Sequence, residues 1–317
     1  MRYVEPPHLI LRKQLIAAAK LTTVAADLGR FLAKTLFFSS GLALTGGELR
    51  ARIATWSQNI AMCALTEKVI FTDPYMMSDL NHWTEPFLDD YAASIRCDSD
   101  LKLAAAYFKN IFLTKTQSLL HGDLHTGSVM AKEGSTFVID PEFAFYGPMG
   151  FDIGAILANL YIAYFSHFAR NNKDYSEWVL SQVEILYATF EREFLQCWNN
   201  TTTGEIYFHS VFTKEEESKK AQSLYLQSVW RDSLGFTGLK IIRRIIGIAH
   251  TEDLESISDL AVRSKAEKKA LLFARELVTN AHYNSLEKVG LTSISAINVA
   301  ARRFYAEEPQ GSWPGAN

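Results

Sequence analysis

Three carboxylates in two short runs carry the strongest chemical signal in this chain. His121-Gly-Asp-Leu-His-Thr-Gly-Ser128 sets Asp123 in a Gly-containing loop directly after the apolar pair Leu119-Leu120. Val138-Ile-Asp-Pro-Glu142 sets Asp140 and Glu142 at the end of a short β-branched segment. Kinase-type phosphoryl transfer needs such a set: one carboxylate to orient a hydroxyl and accept its proton, others to hold Mg2+ against nucleotide phosphates. In the protein-kinase pattern an Asp is followed five positions later by Asn, and a metal-binding Asp comes afterwards at a strand end. Here Ser128 stands at that spacing from Asp123, and Asp140 takes the metal position. A carboxylate is a weak base, so Asp123 contributes more by orienting the hydroxyl than by basicity. Pro141 bends the chain between Asp140 and Glu142, and paired hard oxygen donors suit Mg2+. Ser128 would add a neutral ligand or a hydrogen bond.

Other readings of these residues compete. Asp is a common loop cap and turn former, so either run alone is compatible with a purely structural role. Both runs together at kinase-like spacing argue against it. His121, Asp123 and His125 alternate as metal ligands do, and Gly122-Asp-Leu-His-Thr-Gly127 resembles part of a metallophosphoesterase signature. That chemistry needs further His, Asp and Asn ligands, yet no Gly-Asn-His occurs and most of the eight histidines are isolated. His121 and His125 are therefore expected to brace the loop, with His125 also a candidate to sit near substrate. A Walker-type phosphate loop at Gly41-Leu-Ala-Leu-Thr-Gly46 fails, because Gly47 and Glu48 stand where Lys and Ser/Thr belong.

The elements that must position these groups read as mostly helical. Apolar residues recur at helical spacing from Leu15 to Phe38 and from Leu49 to Phe71. Asp73-Pro74 and Glu85-Pro86 bracket a polar loop that contains Trp83 and ends in Asp89-Asp90. Asp98 and Asp100 can start the next helix, to about Lys115. From Ser118 to Asp140 the pattern changes to short strands, with Glu133-Gly-Ser135 as a turn between two of them. Pro141 to Gly150 reads as a packed loop, and Asp152 as the N-cap of a helix over Ile153 to Phe168. Surface connections at Asn171–Asp174 and Asn199–Gly204 flank a helix from Ser176 to Trp198. Helix resumes from Lys214, where Lys214-Glu-Glu-Glu-Ser-Lys-Lys220 reads as a solvated face. The tail after Glu307, with Pro309, Gly311, Pro314 and Gly315, reads as disordered.

Bulk properties permit an enzyme and narrow its partners. A chain of 317 residues, 48% hydrophobic and 21% charged, is ordinary for a globular protein with one large core or two domains. A net charge of −3 argues against a nucleic-acid surface. Cys63, Cys97 and Cys197 suggest neither a disulfide framework nor a zinc site, and read as buried free thiols in a reducing compartment. No apolar run reaches the length of a membrane span, and Met1 to Pro7 lacks a signal-peptide core, so a cytoplasmic location is expected.

The run His121–Ser128, the run Asp140-Pro-Glu-Phe143 and Phe145-Tyr-Gly-Pro-Met-Gly-Phe-Asp-Ile-Gly154 together resemble the S-methyl-5-thioribose kinase family. That family lies in the aminoglycoside-phosphotransferase and choline-kinase branch of the protein-kinase-like fold. The resemblance extends through Tyr3–Arg12, Ala33–Phe38, Asn81–Asp90 and Ile241–His250, nearly the whole chain. It implies an α+β, predominantly helical catalytic lobe with a few short strands around the catalytic loop. It implies ATP and Mg2+, transfer of a phosphoryl group to the 1-hydroxyl of 5-methylthioribose in methionine salvage, and a homodimer. By the same resemblance Asp123 is catalytic and contacts the sugar, Arg243 and Arg244 face substrate and its phosphate, and Trp83 belongs to a loop near the sugar. Asp140, Pro141 and Glu142 form the nucleotide-metal site, with Ser128 a further metal ligand, and Tyr3, Val4 and Glu5 an adenine-contacting edge. Two guanidiniums inside the apolar run Leu239 to Ile248 are costly to bury without an anionic partner. The alternative is that both reach water from a helix edge, and for Trp83 that it is an ordinary packed residue.

Family members carry a β-rich lobe ahead of the catalytic one, with a glycine loop and a Lys for the ATP phosphates. This sequence starts at what resembles the hinge, so the expected organisation is a hinge remnant over 1–12, a catalytic lobe over 13–306 and a tail over 307–317. A truncated gene model or a fragment would explain it. Rival functions are a kinase of another small alcohol, such as choline, an aminoglycoside or a sugar, and a silent lobe that binds sugar or a partner.

Overall fold

The computed structural model describes residue 4, residues 6–208, residues 210–306 and residue 313. In chain order, β1 (Leu9–Ile10), α1 (Leu11–Ile16), α2 (Val24–Phe38), α3 (Gly46–Trp56), α4 (Ile60–Phe71), α5 (Asp89–Cys97) and α6 (Ser99–Thr114) come first. Then follow β2 (Ser118–Leu120), β3 (Val129–Lys132), β4 (Ser135–Val138) and β5 (Phe145–Gly147). The remainder is helical: α7 (Gly150–Ala169), α8 (Lys173–Asn199), α9 (Glu215–Ile246), α10 (Glu252–Glu255), α11 (Leu260–His282) and α12 (Ile294–Ala306). The α+β, predominantly helical class expected from sequence is the one adopted.

The core is organised around α7, which is buried at every position from Gly150 to His167. A helix apolar all round can only be interior. Helices α8, α9 and α11 pack on it, and α2 packs on α8. From Asp232 to Ile246 every residue of α9 except Arg243 is buried. Each fully buried aliphatic or aromatic side chain contributes about 1.5–3 kcal/mol. The apolar residues of that stretch thus hold α9 in place even though Lys240 and Arg244 are carried inside with them.

Two small antiparallel sheets frame the loop of Asp123. In the first, β3 is central, with Leu9 opposite Ala131 on one side and Val129 opposite Val138 on the other. Its β3–β4 hairpin turns at Glu133–Gly134, where the sequence places the turn. The second pairs β2 with β5, Ser118 opposite Gly147 and Leu120 opposite Phe145. Pro141 to Gly150 is therefore not all loop: Phe145–Gly147 is a strand, too short to stand out by alternation.

Two further expectations are corrected. The helix read over Leu15 to Phe38 is broken between Ile16 and Val24, because Ala18 turns left-handed at φ +57°. His167 and Tyr175 bond the carbonyls of Leu15 and Ala19 at 2.7 and 2.8 Å around that break. The helix read over Leu49 to Phe71 is likewise split at Ser57–Asn59. Asn59 is drawn away to donate to the carbonyls of Glu142 and Ala144 at 2.9 and 3.0 Å. Short polar side chains favour such competing bonds over helix.

Asp98 caps α6 as expected, accepting from the Leu101 amide at 3.0 Å. The thiols are free but not buried: Cys97 is exposed and Cys63 and Cys197 are half-buried. Among the described residues, no helix is long and apolar enough to cross a membrane. The expected tail lies outside the described residues apart from Trp313, which is buried and donates to Asp98 Oδ2 at 2.7 Å.

Candidate active site

The loop after β2 is held from three sides. Asp152, in the first turn of α7, accepts from the amides of His121 at 2.6 Å and Gly122 at 3.0 Å. The sequence reading of Asp152 as the N-cap of this helix is corrected: α7 starts two residues earlier, and the carboxylate is spent on the loop. Burial pushes this carboxyl up, while His121 and the two amides pull it back. Gly122 sits at φ +85°, and a Cβ there would lie 2.1 Å from the Phe143 carbonyl oxygen, so only glycine fits. His121 joins the two motif runs. Its Nε2 lies 2.8 Å from the Ile139 carbonyl, to which it must donate, and its Nδ1 accepts from the Asp123 amide at 3.3 Å. The Ile139 amide in turn donates to the Ser128 carbonyl at 2.9 Å.

Asp123 emerges from this frame into a cluster of cations. Its Oδ2 lies 3.3 Å from His125 Nε2, and its Oδ1 3.8 Å from Lys240 Nζ. Burial alone would raise the carboxyl, but the His125 bond and the charges of Lys240 and Arg244 hold it well below the usual carboxylate range. It is ionised at any physiological pH. Lys240 lies in the buried part of α9, with Nζ 4.0 Å from the centre of the Phe151 ring. Burial lowers its ammonium from 10.5 to about 7, against the attraction of Asp123 and with repulsion from Arg243 and Arg244.

The twin arginines complete the cradle. Arg244 donates to the Ala249 carbonyl at 3.3 Å and is lowered to about 9 by burial and by Arg243. Arg243 is lowered by burial despite Asp123, and its Nε and Nη1 are buried with no hydrogen-bond partner among the described residues. Arg12 of α1 adds a fourth cation, 3.4 Å from Asp253 and bonded at 3.2 Å to Asn159, which Thr126 of the Asp123 loop also contacts. Arg12, Lys240, Arg243 and Arg244 thus outnumber Asp123, Asp152 and Asp253. A surplus of buried positive charge with unpaired donors is the physical signature of an anion site.

The second run stands at the end of β4. Asp140 adopts φ +65° and, like Pro141 and Glu142, is exposed, while Asn59 pins the following turn. Among the described residues no three His, Cys, Asp or Glu side chains form a metal cage. Two exposed carboxylates fit Mg2+ that arrives on a nucleotide and keeps phosphate and water ligands, rather than a site built wholly from protein. Ser128 is buried, and its hydroxyl donates to the Asp123 carbonyl at 3.0 Å, so its observed work is bracing. Trp83 is half-buried; its indole donates to Asp89 at 2.8 Å, and Arg96 lies 5.5 Å from its ring centre. Its loop is tethered near the twin arginines, because His82 stacks on His250 with centroids 3.9 Å apart. Tyr3 and Glu5 lie outside the described residues, and Val4 is half-buried.

Sequence reasoning missed Lys240, Arg12 and the bracing role of Asp152. A signal for Lys240 was present: Leu239-Lys-Ile-Ile-Arg-Arg244 puts it three and four positions before the arginines, on their helix face.

A family model described as the phosphotransferase enzyme family matches residues 7–186. The chain is 47% identical over 285 residues to Methylthioribose kinase 1 of Oryza sativa subsp. japonica, covering 88% of this chain and 66% of that protein. It is 44% identical over 297 residues to Methylthioribose kinase 2 of the same plant, covering 91% and 70%. It is 40% identical over 287 residues to a Methylthioribose kinase of Escherichia coli O45:K1 (strain S88 / ExPEC), covering 89% and 68%. The chain spans about two thirds of the length of these curated relatives.

Proposed function

Because this chain belongs to the methylthioribose kinases, within the phosphotransferase enzyme family, we propose that it phosphorylates the 1-hydroxyl of 5-methylthioribose with ATP, a step of methionine salvage. The observation that carries the reading is an ionised Asp123 set among Lys240, Arg243 and Arg244, with two buried Arg243 donors that have no hydrogen-bond partner among the described residues. Asp123 binds the sugar hydroxyl, aims its oxygen at the terminal phosphorus of ATP and receives the proton as the new oxygen–phosphorus bond forms, while the bond from that phosphorus to the bridging oxygen breaks and ADP leaves. The cations offset charge on the transferred group and on the product phosphate, and the burial of Lys240 and Arg244 strengthens such interactions. Asp140 and Glu142 would hold Mg2+, which when bound neutralises charge on the nucleotide phosphates. Trp83 contributes a wall for the sugar, and Tyr3 to Glu5 an edge for adenine. A homodimer and a cytoplasmic location belong to the same reading.

The test is phosphorus NMR of the chain with Mg-ATP and, in parallel, methylthioribose, choline and an aminoglycoside. A sugar 1-phosphate formed only from methylthioribose supports the proposal. Transfer to choline or the aminoglycoside in preference to the sugar overturns it.

A further inference from the structure

His125 sits inside the turn Thr126–Ser128, where its Nδ1 lies 2.9 Å from the Gly127 amide and 3.0 Å from the Ser128 amide. Two N–H groups aimed at one ring nitrogen require a lone pair there, so the ring proton must be on Nε2. That nitrogen lies 3.3 Å from Oδ2 of Asp123. A proton on Nδ1 would oppose both amide dipoles. The ring therefore stays neutral, and its contact with Asp123 is a hydrogen bond, not an ion pair. Burial lowers His125 below the ordinary histidine range against the pull of Asp123, and Arg244 and Arg12 add to the lowering.

The loop is built around this ring. A Cβ on Gly127 would lie 2.7 Å from Cε1 and 2.8 Å from Nδ1 of His125, so only glycine admits the imidazole. The Ser128 hydroxyl, 3.2 Å from Nδ1, is directed to the Asp123 carbonyl. Both neighbours of the ring thus serve to seat it.

We propose that His125 is a positioning residue for phosphoryl transfer. Locked as the Nε2–H tautomer by the Gly127 and Ser128 amides, it binds Oδ2 of Asp123 and leaves Oδ1, beside Lys240, for the acceptor hydroxyl. A carboxylate turns readily about its last torsion, which is broad and nearly two-fold. With one oxygen held, the other is fixed in direction. Misplacing an attacking oxygen by about 1 Å costs on the order of a hundredfold in rate. The proposal rests on the reading of Asp123 as the group that orients the hydroxyl.

Two near-isosteres separate this role from a merely structural one. His125→Gln places an N–H where Nε2 stood and removes the acceptor at Nδ1; His125→Asn keeps an acceptor near Nδ1 and removes the donor to Asp123. We expect His125→Gln to hold kcat within about tenfold, and His125→Asn to lose about a hundredfold in kcat with KM changed only a few-fold. An Asn variant at least as active as the Gln variant overturns the proposal. Nitrogen NMR of the wild-type ring is independent of activity. It should show neutral imidazole protonated at Nε2 at neutral pH, with the Nε2 signal moving in Asp123→Asn. A ring protonated at Nδ1, a charged ring, or an Nε2 signal indifferent to Asp123→Asn overturns it as well. If the wild-type chain phosphorylates no sugar, the functional reading fails while the ring signals still judge the tautomer and its bond.

Discussion

Lys240→Met should make this protein more stable while weakening its chemistry. The native ammonium is lowered from 10.5 to about 7, chiefly by burial. A cation harder to hold in the folded state than in the unfolded one costs about 1.4 kcal/mol for each pH unit of that difference, here roughly 5 kcal/mol in all. The sign follows from proton counting. Between about pH 7 and 10.5 the unfolded chain binds more protons, so wild-type stability rises with pH through that window; below about pH 7 the full cost is present. Met fills a similar volume without charge. Urea unfolding at about pH 6.5 and about pH 9.5 should therefore show the variant ahead by roughly 5 and roughly 1 kcal/mol, with unchanged m. Lost with the charge is an attraction to Asp123 of roughly 4 kcal/mol at 3.8 Å and an effective dielectric constant of about 20. Turnover should fall accordingly. A variant less stable than wild type at the lower pH, or a gap that does not narrow with pH, refutes the reasoning.

Other perturbations probe the frame around the cradle. Gly122→Ala must take φ +85° with its Cβ 2.1 Å from the Phe143 carbonyl oxygen, and should cost more than about 3 kcal/mol in chemical denaturation. Arg243→Leu removes a guanidinium two of whose nitrogens are buried with no hydrogen-bond partner among the described residues, so stability should hold or rise while calorimetric affinity for the sugar phosphate falls about tenfold or more. Glu267 is pushed up to about 7 by burial, so the folded state keeps its proton longer than the unfolded one. Glu267 should therefore contribute a fall of roughly 3 kcal/mol in stability between about pH 4.5 and 7, and Glu267→Gln should remove that share of the slope.

The chemistry-bearing runs were legible because each is local. The loop of Asp123, the Glu133–Gly134 turn and the Asp98 cap are set by near neighbours, and turn and cap grammar reads them directly. What escaped is long-range. Asp152 looks like a helix cap until the amides of His121 and Gly122 claim it. Arg12 reaches the site only when α1 meets α7 and the segment around Asp253. Ala18 breaks a good helical pattern through a left-handed backbone that alanine rarely adopts, compensated by His167 and Tyr175 from α7 and α8. Lys240 was read as part of an apolar helix, since nothing adjacent in the chain shows that Asp123 lies against it.

The central claim is that the carboxylate of Asp123, and no neighbouring group, receives the acceptor hydroxyl. Single-turnover transfer from Mg-ATP to methylthioribose, measured with Asp123→Asn beside wild type and paired with nucleotide calorimetry, tests it most directly. Nucleotide affinity should be nearly retained while the transfer rate falls by at least about a thousandfold. An Asn variant that transfers phosphate at close to the wild-type rate would contradict it.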